Sequence, residues 1–211
     1  MQIDGLSNTL DKIALSSEEI ENQIKSYRLT FSQIRRNDVE WGMKFPMFVP
    51  PFYSYILKIG RVPNQKEYWN NYIFENKPFF NASTLTSDQM AGLEARVFRT
   101  YPSLVRDLHL GVKLKKSGVF NDVYYNEVID IQYGIDLVVL KNDKLLGLNL
   151  FTNTRTALHA RVKKEYRPKK PVNFKCIEIP IEFRGSKVCG DFFLYSEREI
   201  EIIKGEILNH V

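Results

Sequence analysis

Apolar residues recur at helical spacing through Ile20, Ile24, Tyr27, Phe31 and Ile34, behind a capping-box pattern of Ser16 with Glu19 three residues on. Acidic residues lead this segment and Arg28, Arg35 and Arg36 end it, as the helix dipole favours, so one amphipathic helix is predicted. The run Phe45-Pro46-Met47-Phe48-Val49-Pro50-Pro51-Phe52 is excluded from a helix interior or a central strand, because its prolines lack the N–H that either would use. Asn64 with Glu67 opens a second helix carrying Tyr68, Trp69 and Tyr72. Residues 1–85 therefore read as a helical N-terminal region with a proline-rich break, packed as a layer on a core.

From residue 86 the period changes. Thr86 with Gln89 caps a helix through Tyr101, and Pro102 kinks it or restarts it into Leu104–Lys115. A long Val- and Ile-rich run, Glu127 to Leu140, reads as a strand interrupted at Gly134; Lys141–Lys144 is a polar turn, and Leu145–Thr152 is its hairpin partner. Arg155–Arg167 reads as a helix with Leu158 and Val162 inward, Phe174–Phe183 as a strand and Gly190–Tyr195 as another. A last helix starts at Ser196, capped with Glu199. The expected fold class is α/β (α+β): a central mixed sheet flanked by helices in residues 86–211, with the helical part before it.

Composition removes several classes of protein. At 211 residues, 44% apolar and 13% aromatic, the chain buries a core without disulfides or a structural metal. Two cysteines and three widely spaced histidines make neither a disulfide framework nor a zinc pattern. No stretch of about 18 apolar residues exists and the first residues carry no signal-peptide pattern, so a cytoplasmic protein without membrane contact is expected. Neither Gly-x-Gly-x-x-Gly nor a Walker-type Gly-Lys-Ser/Thr occurs. The net charge of +5 is confined to one window. Arg155, Arg161, Lys163, Lys164, Arg167, Lys169, Lys170 and Lys175 lie there with Glu165 as the lone acid, and the rest of the chain is slightly acidic. Arg155, His159 and Lys163 fall on one helical face at i, i+4 and i+8. A solvated helix with a basic loop accounts for such a cluster, and so does a phosphate-binding surface that positions a backbone without reading its sequence.

Three polar residues occupy positions that periodicity assigns to buried surfaces. Glu94 lies on the apolar stripe of its helix, beside Leu93 and between Met90 and Val97. On the strand run, Ile129, Ile131, Tyr133, Ile135, Leu137 and Val139 share one face, leaving Asp130, Gln132, Gly134 and Asp136 on the other. Asn149 lies opposite the Leu146, Leu148, Leu150 face of the hairpin partner. A carboxylate inside Ile-Asp-Leu-Val-Val-Leu is costly unless it is paired, hydrogen-bonded or bound to a cation. Asp136 is accordingly either a strand-end hydrogen-bond acceptor, an ion-pair partner of Arg96 or Arg99, or a ligand.

A helix with Glu94, a strand with Gly-Ile-Asp-Leu-Val-Val, a hairpin, a polar strand, a basic helix and a further strand together resemble the PD-(D/E)XK nuclease superfamily, the restriction-endonuclease-like fold. The resemblance covers roughly residues 86–195. It implies a strand Asp, here Asp136, and a Glu or Gln on the next strand binding Mg²⁺ or Mn²⁺, with a Lys two residues on that stabilises the phosphate, and a further ligand, here Glu94, from the preceding helix. Asn149 stands where Glu or Gln belongs, and Phe151 where Lys belongs. The resemblance thus implies catalytic positions Asp136, Glu94 and Asn149, with Asp136 and Glu94 on the metal. It also implies a nucleic-acid surface made of Arg155, His159, Lys163, Lys164, Arg167, Lys169 and Lys170. The expected function is nucleic-acid binding, DNA first, by a nuclease-like core with cleavage weakened or lost. Two alternatives stand beside it: a working Mg²⁺-dependent endonuclease whose basic residue has moved, and an assembly module that contacts a protein partner or a second copy through residues 45–57.

Overall fold

A computed structural model describes residues 7–152, 170–181 and 183–209. It is a mixed α+β structure with helices α1 (Ser17–Ile24), α2 (Val49–Ile59), α3 (Gln65–Glu75), α4 (Lys77–Ala82) and α5 (Ser87–Lys116) preceding a sheet. The sheet strands are β1 (Asp122–Tyr124), β2 (Leu137–Lys141), β3 (Lys144–Thr152) and β4 (Lys175–Ile181); a separate hairpin, β5 (Lys187–Cys189) and β6 (Phe192–Leu194), leads to helix α6 (Glu197–Leu208). No helix among the described residues is long and apolar enough to cross a membrane.

Helix α5 is the spine. Its 30 residues extend roughly 45 Å at the usual 1.5 Å rise. Thr86 and Gln89 form its capping box, and it continues through Pro102 instead of breaking there. A proline leaves the carbonyl four residues earlier without a helical donor. Here that carbonyl belongs to Phe98, and the buried Gln65 amide donates to it at 3.1 Å. The same amide also closes on Thr30, donating to its carbonyl at 3.2 Å and accepting its N–H at 2.6 Å.

The N-terminal helix is shorter than the apolar stripe predicts. Helix α1 ends at Ile24, and Phe31 and Ile34 are exposed. Beyond Tyr27 the backbone donors find tertiary acceptors: Leu29 N–H goes to the Asp191 carboxylate at 2.9 Å and Thr30 N–H to Gln65. Local spacing could not reveal acceptors so far away in the chain. The proline-rich run, excluded from a helix interior, instead starts one: Pro50 and Pro51 occupy the first turn of α2, where an N–H has no helical partner to lose. Carbonyls around it are taken by tyrosines, Tyr68 Oη donating to Phe48 at 2.8 Å and Tyr72 Oη to Pro46 at 3.0 Å.

The sheet order is β1-β2-β3-β4, with β1–β2 and β2–β3 antiparallel and β3–β4 parallel. The β2–β3 turn is Asn142-Asp143, both at positive φ (48° and 61°), which matches the twist of a two-residue hairpin. Leu137, Val139, Leu146, Leu148, Ile179 and Ile181 belong to the main core together with α5, while Ile129, Ile135 and Val138 form a second cluster with Leu145 and Phe174. The main core takes residues from both parts of the chain, from Leu10 and Ile20 through Tyr68 to Ile207. The expected long strand is the largest departure. Only Leu137–Lys141 is strand; Ile129–Tyr133 is a helical turn, closed by Gly134 in the left-handed region. Asn126 Oδ1 starts that turn by accepting Val128 N–H at 2.8 Å. The predicted helix Arg155–Arg167 lies outside the described residues.

Three elements meet at the half-buried Glu21 carboxylate. Glu21 of α1 accepts from His109 Nε2 of α5 at 2.8 Å and from Lys187 Nζ of β5 at 2.7 Å. Burial alone would raise the Glu21 carboxyl, but Lys187 and then His109 hold it below the ordinary Glu range. His109 is fully buried, and its Nδ1 has no partner, so the ring is the neutral tautomer that donates from Nε2 and leaves Nδ1 bare. Burial lowers its pKa against the opposing pull of Glu21; Lys113 and Lys187 lower it further. The unfolded chain therefore takes up a proton at this ring before the native state does. Its contribution to stability is complete above the ordinary His value, near pH 6.5, and is lost as pH falls toward the lowered native value. Urea unfolding between pH 7.5 and 5 should show this decline, and His109→Gln, which keeps a donor toward Glu21, should flatten it. Equal slopes in the two proteins would overturn the assignment.

Candidate functional site

The helical turn 129–133 and Gly134 swing the chain so that Asp136 enters the sheet immediately before β2. Asp136 N–H donates to Leu148 O at 3.0 Å, and its Oδ2 accepts Leu150 N–H at 2.6 Å. The side chain thus supplies an acceptor where the β2–β3 ladder ends. Between those two residues of β3 stands Asn149, one step beyond the last paired register, Leu137 with Leu148. Its Oδ1 is buried and has no hydrogen-bond partner. On its other side, Asn149 registers with Glu178 of β4, and Phe151 with Pro180. Asp136 and Asn149, both singled out by periodicity, are therefore brought to the same end of the β2–β3 pair.

Three buried phenols locate the surrounding charges. Tyr53 of α2 and Tyr125, just after β1, stack with ring centroids 4.2 Å apart, and Tyr195 follows β6 with its Oη donating to Ile179 O at 3.3 Å. Burial pushes all three phenols well above their ordinary range. Carboxylate charges push the same way: Asp107, Asp130 and Asp136 act on Tyr53, Asp130, Glu127 and Asp136 on Tyr125, and Asp107, Asp136 and Glu199 on Tyr195. Asp136 adds its charge at all three phenols, and Asp107 at Tyr53 and Tyr195. Each of Asp107, Asp130 and Asp136 has further interaction partners. Arg106, next to Asp107 and itself buried, ties this end of α5 to Thr152 Oγ1 at 2.8 Å and to Phe193 O at 3.0 Å.

Glu94, the helical ligand that the resemblance implies, has a neighbour of its own. It is half-buried and pairs with Lys66 at 3.2 Å in a cleft shared with Tyr27, Gln65 and Phe98. Thirteen residues separate it from Asp107, roughly 20 Å along the helix at 1.5 Å per residue. Asp107, an acid between Arg106 and Leu108 in an otherwise apolar stretch, was not singled out by the sequence. Nothing local marked Tyr53, Tyr125 or Tyr195, which arrive from three distant segments. Among the described residues, no group of three or more His, Cys, Asp or Glu is arranged to hold a metal ion.

Of the expected basic surface, Arg155, His159, Lys163, Lys164, Arg167 and Lys169 lie outside the described residues. Lys170 is described, and it is anchored to the turn that delivers Asp136. Its N–H donates to Gln132 O at 2.9 Å, its Nζ to Gln132 Oε1 at 2.5 Å, and the ammonium lies 6.0 Å from the Tyr133 ring centroid. The segment expected as a protein contact divides: Phe52 and Tyr53 are core, whereas Phe45, Met47 and Phe48 line an open groove of about 730 Å³ with Trp41 and Arg96.

Comparison of the chain with protein-family models, with curated proteins and with solved structures found no match.

The Asp136 carboxylate has a structural duty that separates two substitutions. Asp136→Ala leaves Leu150 N–H without its acceptor and should cost about 1–3 kcal/mol in urea unfolding. Asp136→Asn keeps an acceptor oxygen and should cost less than half of that. Equal losses would show that the hydrogen bond to Leu150 contributes nothing.

Proposed function

We propose that the chain is a nucleic-acid-binding protein, of DNA in the first instance, built on a PD-(D/E)XK-like core whose cleavage activity is weakened or lost. The observation that carries this reading is the adjacency of Asp136 at the entry to β2 and Asn149 on the neighbouring strand β3. The order of elements agrees with it: helix α5, β1, the β2–β3 hairpin, and β4 returning parallel to β3. A buried amide oxygen without a partner, beside a carboxylate, is a hard-oxygen pair of the kind that holds Mg²⁺ when phosphate and water complete its shell. Asp136 and Asn149 would hold such an ion. When bound, it would polarise a phosphodiester and lower the pKa of an attacking water.

The same residues account for weak chemistry. Asn149 is neutral, which lowers cation affinity relative to Glu. One Asp136 oxygen is already occupied by the Leu150 N–H. Phe151, at the position of the phosphate-stabilising lysine, offers neither charge nor hydrogen. Binding is then left to the basic window, of which Lys170 sits against the Asp136 turn.

Two assays on the same preparation test this. Anisotropy of a labelled duplex oligonucleotide should show binding that weakens steeply with salt and disappears on charge reversal of Lys163, Lys164 and Lys169. Incubation with Mg²⁺ or Mn²⁺ should give little or no cleavage. Absence of binding to duplex and single-stranded DNA and RNA at low salt would overturn the proposal. Vigorous metal-dependent cleavage that is lost in Asp136→Asn would replace it with the active endonuclease reading.

A further inference from the structure

Large apolar side chains left on the surface gather at the open groove of about 730 Å³. It is lined by the segment 40–49, by Arg96 and Thr100 of α5, and by residues of the turn that precedes Asp136. Trp41 is 57% exposed, Met47 49% and Ile131 40%, and all three line it. Exposed apolar residues collected around a hollow, unlike singly scattered ones, mark a contact surface. Both sides are fixed in place. Trp41 belongs to a helical turn, Asp38–Gly42, whose Val39 is buried; Arg96 Nη1 donates to Val39 O at 2.5 Å and Gln89 Nε2 to Asp38 Oδ2 at 3.1 Å. Phe45 and Phe48 are backed edge-to-face by Phe79 and Tyr72, with centroids 6.0 and 5.4 Å apart. Across from them Asp130 O accepts Gly134 N–H at 2.9 Å. The chain thus presents a preformed aromatic knob beside a preformed apolar hollow, so contact orders little.

Charge selects the occupant. Two acids, Glu40 and Asp130, and two bases, Lys44 and Arg96, line the groove. Glu40 is balanced within the chain by Arg96 and Arg99. Lys44 lies on the segment that carries Trp41, and Asp130 on the turn that carries Ile131, so the two sides differ in sign. A polyanion gains no net attraction from such a lining. Two-fold pairing does gain, because it sets the basic side of each copy against the acidic side of the other.

We propose that this face is the contact between two copies of the chain, a two-fold pair in which Trp41 and Met47 enter the opposite groove and Lys44 faces the partner's Asp130. Part of the aromatic, proline-rich segment 45–57 thereby finds a use that nucleic-acid binding does not give it.

Sedimentation equilibrium of the full chain, freed of nucleic acid, tests this. Wild type should pass from one-chain to two-chain mass as concentration rises. Trp41→Ser should weaken association at least about ten-fold, as loss of a central aromatic anchor does. Lys44→Asp and Asp130→Lys should each weaken it by opposing like charges. Mixed together, these two variants should associate with each other more strongly than either does with itself, since one carries acids on both sides and the other bases. Trp41 and Lys44 are exposed, so their variants should keep the wild-type urea midpoint, which separates a lost contact from a lost fold. A one-chain mass at every concentration overturns the proposal, even if the groove then takes up nucleic acid or another protein. So does a dimer that Trp41→Ser and Lys44→Asp leave unchanged, or one whose charge variants show no preference for each other. None of these outcomes bears on duplex binding, so this inference and the nucleic-acid reading stand or fall separately.

Discussion

The carbonyl of Phe98, deprived of its helical donor by Pro102, is the point on which the architecture depends. A 30-residue helix that also carries the core needs every buried backbone group satisfied, and an orphan carbonyl in its middle would bend or break it. Gln65 takes that carbonyl with one hydrogen and uses its remaining amide groups on Thr30. One buried side chain thus joins α3, the extended segment after α1 and the centre of α5. Because α5 stays continuous, its first half packs against the helical layer and its second half reaches β1 and β6. The N-terminal helices and the sheet consequently share a single main core.

Continuity of α5 also separates its acids. Glu94, on the half that meets α3, is taken up by Lys66, whereas Asp107 adds its charge to that of Asp136 at Tyr53 and Tyr195. Arg106 fixes this end by bonding to β3 and β6. Tyr53, Tyr125 and Tyr195 are buried beside these charges, where electrostatic interactions are stronger than at the surface. Tyrosine suits such a place, with an apolar body to pack and a hydroxyl to offer.

Asp136 shows how one residue serves structure and chemistry together. Its backbone and side chain finish the β2–β3 ladder, fixing the carboxylate to within a hydrogen bond of β3. That fixation delivers Asn149 and Asp136 to one sheet end. It also consumes part of the capacity of Asp136 to bind anything else.

Capping boxes at Ser16, Asn64, Thr86 and Ser196 and the Asn142-Asp143 turn were legible in the chain because each is a contact among residues at most a few positions apart. The mixed α+β class, the β2–β3 hairpin, β4, the closing helix and the unusual placement of Asp136 and Asn149 followed from the same short-range patterns. What local pattern could not reach was decided by partners far along the sequence. Helix α1 stops early because Asp191 and Gln65 supply acceptors to Leu29 and Thr30. Helix α5 ignores Pro102 because of Gln65. Periodicity reports which residues are buried, but the identity of the residue on the other side of the core is a property of the fold alone.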